Sequence, residues 1–111
     1  MIEVISLSDH MEAWIARDEV IDCYELVKEW NLWIQHDHIG TTKITVRVEK
    51  RFDGRYYFTT SHAYKGSEQA GPYVSSDNSA DSIEDVMRKA KRQLFSFFDK
   101  NDKNAKWVEL E

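Results

Sequence analysis

The chain reads as an α+β domain: a small antiparallel sheet of two to four strands packed against a C-terminal amphipathic helix, with an N-terminal helical region. Three observations predict it. Residues 43–49, Lys43-Ile44-Thr45-Val46-Arg47-Val48-Glu49, alternate polar and apolar, the period of a half-buried strand. Arg55 to Ser61, rich in Tyr, Phe and Thr, follows across a turn carrying Asp53-Gly54. From Ile83 onward the apolar positions take helical spacing.

The elements follow in order. Ile2-Glu3-Val4-Ile5 reads as a short strand or an ordered tail, and Ser8 as an N-cap. Met11, Trp14 and Ile15 begin a helical stripe whose phase breaks before Val20. Asp18 can cap a fresh helix in which Val20, Cys23, Tyr24, Val27, Trp30 and Ile34 share a face. One kinked helix, or two short ones, is therefore expected over 9–34, its outer face bearing Asp18, Asp22, Glu25 and Glu29.

Gln35 to Thr42 connects to the hairpin. A three-residue loop, Phe52-Asp53-Gly54 with Gly54 left-handed, pairs Val48 with Phe58, Val46 with Thr60 and Ile44 with His62. A two-residue turn would waste the apolar face, because a slip of one residue flips every side chain. Tyr73-Val74 reads as a third strand after Gly71-Pro72. The last helix starts near Asp81, with Glu84 completing an approximate capping box. Trp107 to Leu110 returns as an edge strand or a docked tail. The expected core is Ile44, Val46, Val48, Phe58, Ile83, Val86, Met87, Ala90, Leu94, Phe97 and Phe98.

At 111 residues, with 41% hydrophobic content, the chain is expected to be one domain over 1–111. No apolar run reaches the roughly 20 residues of a membrane span. The N-terminus lacks a basic leader, and one Cys excludes an internal disulfide. A cytoplasmic protein is the expectation. Net charge is −5, but residues 1–40 hold nine acids and two bases while the rest hold eleven acids and thirteen bases. The acidic end suits a basic partner, and the other end an anion.

Site candidates fall into three groups. Asp22, Glu25 and Glu29, with Trp30 or Trp33 as anchor, would meet a protein partner with a basic surface. Arg88 and Arg92, one helical turn apart, could hold an anion such as a nucleotide phosphate, with Tyr64 or Tyr73 stacking and His62 nearby. His36 and His38 are weak metal ligands, with His62 as a third in a metal-dependent hydrolase. Cys23 reads as a small buried hydrophobe. No GxxxxGK[ST] or GxGxxG spacing occurs, so no cofactor is expected.

The order helix–strand–strand–(strand)–helix resembles that of double-stranded RNA-binding domains. The resemblance implies a basic start to the last helix. Asp81, Glu84 and Asp85 stand there instead, and together with the acidic balance they argue against nucleic acid. The favoured expectation is a non-catalytic binding protein that occupies a partner, of the inhibitor, immunity or phage anti-defence type, as a class expectation. A binder of a small anionic ligand and a metal-dependent hydrolase are the alternatives. Trp14, Trp30 and Trp33 exceed what one helix face buries, so a homodimer is a further expectation.

Overall fold

Two left-handed glycines set the main sheet: Gly40 at φ 88° and Gly54 at φ 82°. Each follows a tight loop that reverses the chain, and only glycine takes such a φ without a steric cost. The computed structural model describes residues 9–110; the expected strand at 2–5 and the Ser8 cap lie outside them. The elements are α1 (Asp9–Ile15), β1 (Tyr24–His36), β2 (Gly40–Arg51), β3 (Tyr56–Thr60), β4 (His62–Lys65), β5 (Ser79–Ala80), α2 (Ile83–Phe95) and β6 (Lys106–Glu109). They build a four-stranded antiparallel sheet in the order β1-β2-β3-β5 and a two-stranded sheet β4-β6.

The α+β class stands, and so does most of the hairpin register: Val48 pairs with Phe58 and Val46 with Thr60. The third expected pair does not form. The chain turns at Ser61, whose N–H reaches the Thr45 carbonyl at 2.8 Å, and His62 pairs with Glu109 in the second sheet. Tyr73-Val74 is not a strand, although the Tyr73 N–H donates to the Tyr64 carbonyl at 3.1 Å. The C-terminal return is the strand β6.

The largest correction concerns residues 18–34. Only 9–15 are helical, and the expected second helix is the edge strand β1. Its register with β2 shifts between Leu26 and Lys28, a β-bulge at Val27. The extra residue breaks the alternation, so apolar positions at 20, 23, 24, 27, 30 and 34 imitate helical spacing. Past the bulge the true period is plain: Trp30, Leu32 and Ile34 face one way and Glu29, Asn31 and Trp33 the other.

Helix α2 covers the core face. Its N-cap is Ser82, whose hydroxyl accepts from the Asp85 N–H at 3.1 Å, rather than the expected Asp81. Such a cap is worth about 1 kcal/mol. Val86, Ala90 and Leu94 pack on Ile44, Val46, Val48, Phe58 and Ala80. Each large aliphatic side chain buried there contributes roughly 1.5–3 kcal/mol. Ile83 and Met87 are only half-buried. The helix stops at Phe95, which leaves Phe97 exposed and Phe98 half-buried among other rings.

Candidate functional site

The register of β1 gives its two faces different chemistry. On the back of the sheet lie Tyr24, Leu26, Glu29, Asn31 and Trp33. Trp33 is 66% exposed, with Lys43 Nζ over its ring at 5.9 Å. Tyr24 and Leu26 are exposed as well. Between them, Arg47 Nε bonds Glu29 Oε1 at 2.9 Å and Thr45 Oγ1 donates to Asn31 Oδ1 at 2.7 Å. Arg51 stacks on Tyr57 at 4.3 Å and on Tyr24 at 5.6 Å, which props the Tyr24 ring at the end of the strand.

On the opposite face, β1 reaches past the helix. Trp30, Leu32, Ile34 and Val46 floor an apolar groove of 390 Å³, walled by Met87, Ala90, Lys91, Leu94 and Phe95 of α2. Trp30, Leu32 and Ile34 pack against the core on one side and are half-buried. Here sequence reasoning misses Leu32, Ile34 and Phe95 as surface residues; the strict 30-32-34 alternation is the available signal.

The expected partner residues share β1 and its approach, not a helix face. The bulge divides them: Glu25 stands opposite Lys50 on the core-facing side, and Glu29 stands opposite Arg47 on the back. Trp30 and Trp33 likewise point to opposite sides. Asp22 lies just before the strand, its carboxylate accepting from the Cys23 N–H at 2.8 Å. Cys23 is a free, half-buried thiol.

The expected anion residues are scattered. Arg88 and Arg92 line a cleft of 260 Å³ with Arg55, Lys89, Asp81 and Asp85. Arg88 bonds Asp85 at 2.5 Å, Arg55 bonds Asp81 at 2.6 Å, and Lys89 bonds Asp77 at 2.8 Å. The Arg88 guanidinium, then the Ser82 hydroxyl, hold the Asp85 carboxyl below its ordinary range, and Lys89 does the same to Asp77. Tyr64, Tyr73 and His62 lie outside this cleft. Tyr64 is buried against Trp107 and Phe98, and burial pushes its phenol up. Tyr73 meets Phe97 edge-on, and His62 Nδ1 lies 2.8 Å from Ser61 Oγ.

His36 is committed to the fold. It is 1% exposed. Its Nε2–H donates to the Asp99 carbonyl at 2.8 Å, while Nδ1 accepts from the N–H groups of His38 and Ile39 at 3.1 and 3.2 Å. Those partners fix the tautomer and leave no lone pair for a metal. Among the described residues no three His, Cys, Asp or Glu side chains group as a metal site. No described helix is long and apolar enough to cross a membrane.

Comparison with family models, curated proteins and solved structures finds no match in any of the three. The functional reading therefore rests on the surfaces alone.

Proposed function

We propose that the protein is a non-catalytic binding module that works by occupying a protein partner, and that β1 is the strand it presents. The exposed Trp33 carries this reading. A tryptophan on the solvent side of a sheet, next to Asn31 and Lys43 and on the same face as Glu29, Tyr24 and Leu26, suits a hot spot with a polar rim. Asp22 and Glu25 put carboxylates at the start of this strand, with Glu29 further along it bonded to Arg47, which favours a partner with a basic surface.

Quantitative capture from the native cell, followed by affinity measurement, tests it. Trp33→Ala should weaken the partner about 30-fold, the loss expected of a hot-spot aromatic. Reversing Asp22, Glu25 and Glu29 to Lys should slow association and flatten its salt dependence. Unchanged affinity and salt dependence in both chains would overturn the reading.

The cleft of Arg55, Arg88, Lys89 and Arg92 supports a second reading, retention of a small anion, since these four cations exceed by one the three carboxylates bonded to them, Asp77, Asp81 and Asp85. Titration calorimetry with a nucleoside triphosphate decides it. Binding that Arg92→Ala abolishes supports it, and no heat from the wild type ends it.

A further inference from the structure

We infer that β1 pairs, edge to edge and antiparallel, with β1 of a second copy of this chain. The inference rests on the reading of β1 as the presented strand and names one occupant for the edge of β1 that no described strand covers.

The two edges of the main sheet are unlike. At one edge β5 is two residues long, and the Ser79 carbonyl already accepts from Lys89 Nζ at 2.7 Å. Such a short, capped edge resists further pairing. At the other edge β1 runs for 13 residues, and among the described residues no strand lies beyond it. A strand of that length exposes a row of unpaired N–H and C=O groups, which proteins blunt with charges or bulges. Here those devices sit at one end: Glu25, the Val27 bulge, Lys28 and Glu29. Trp30 to Gln35 carries no charge at all.

The regular part of β1, between the bulge and the turn, spans 28–36. Its midpoint is Leu32. A two-fold axis through Leu32 gives the longest unbroken ladder and sets Leu32 against Leu32 of the second copy. Trp30 then meets Ile34 of the second copy, and Glu29 meets its Gln35. No two like charges face each other in this register. Centring the axis on Glu29 would oppose two carboxylates, which destabilises a sheet. The pairing is isologous, as a closed dimer requires.

Packing favours the same arrangement. Trp30, Leu32 and Ile34 floor the groove beside α2, and their outer flanks have no described neighbour strand. The second copy lays the same three side chains alongside them. The sheet becomes eight strands wide with both α2 helices on one side. On the other side the two Trp33 faces stand next to each other, so one dimer offers its partner two anchors.

The test is a charge swap at the axis. By analytical ultracentrifugation the wild type should run at twice the 13.1 kDa of one chain. Leu32→Lys and Leu32→Glu should each run as single chains, because each opposes itself. An equimolar mixture of the two should return to the doubled mass. Should either variant fail to fold by circular dichroism, Leu32→Cys in a Cys23→Ser background decides instead. Directly opposed Cβ atoms lie about 4.5–5.5 Å apart, so mild oxidation should yield a disulfide-linked pair. A wild type of single-chain mass, a dimer that survives both charges, or no cross-link would overturn the inference. None of these would touch the Trp33 reading, which partner affinity tests separately.

Discussion

His36 Nε2 lies 2.8 Å from the carbonyl oxygen of Asp99, 63 residues further along the chain. The same carbonyl accepts from the Tyr64 hydroxyl at 3.0 Å, and the Asp99 N–H returns to that hydroxyl at 3.1 Å. One peptide segment after α2 is thereby tied to the β1–β2 turn and to the second sheet.

Removing that tie should be costly. His36→Ala would empty the space of a fully buried ring and leave the part-buried N–H groups of His38 and Ile39 without their acceptor, while the Asp99 carbonyl would keep only the Tyr64 hydroxyl. Each group left without a partner costs roughly 1–3 kcal/mol. A total loss of about 3 kcal/mol is expected in urea unfolding, with an unchanged slope. A loss under about 0.5 kcal/mol would show that the tie is dispensable.

Gln93 is buried polar surface on an otherwise apolar helix face. Its Nε2 donates to Thr60 Oγ1 at 2.8 Å and its Oε1 accepts from the Ser75 N–H at 2.8 Å. Gln93→Leu keeps the volume and deletes both bonds. Amide exchange at Ser75 should then speed up well before the helix itself opens. Exchange at Ser75 equal to wild type would refute the anchoring role.

Asp102 should make stability depend on pH in the acid range. Its carboxylate accepts from the N–H of Ser67 at 2.8 Å and of Asn104 at 3.0 Å, and these bonds lower its pKa. A folded pKa below the unfolded one gives stability that is fully present above the unfolded value. It is lost as pH falls through the folded value. Asp53 is lowered too, first by the Tyr57 hydroxyl, as are Asp77 and Asp85. The melting temperature should therefore decline below about pH 4, and less steeply for Asp102→Asn. An identical slope in both chains would remove Asp102 from the account.

At Gly40 no other atom lies within 4 Å of the place a Cβ would take, so only the backbone resists substitution. Gly40→Ala should cost about 1–2 kcal/mol, the penalty of a left-handed L-residue. D-alanine introduced by chemical synthesis should cost nothing. Equal losses for the two enantiomers would locate the effect elsewhere.

The hairpin and α2 are legible in the sequence because periodicity and turn chemistry agree. Val46, Val48 and Phe58 alternate in step, and Gly54 closes the loop between their strands. β1 is not legible, because one inserted residue scrambles its phase and because the loop 37–39 before Gly40 carries no Asn-Gly or Asp-Gly signal. The surfaces inherit that error. The residues expected to meet a partner lie on or beside one strand, but a helical reading puts Glu25 and Glu29 on one face and overlooks Leu32. Tyr64 cannot be told from an exposed tyrosine, since its burial depends on Phe98 and Trp107, far away in sequence.

Because Val27 is the surplus residue of a bulge, the chain carries a spare there. Leu26 already pairs with Glu49 and Lys28 with Val48, so excising Val27 leaves every other side chain on the face it now occupies. A loss of one residue at Trp30 or Leu32 would instead turn part of the strand inside out. Tolerance to single-codon deletion should thus peak sharply at one position in β1, and a deletion scan would find the bulge without any structure.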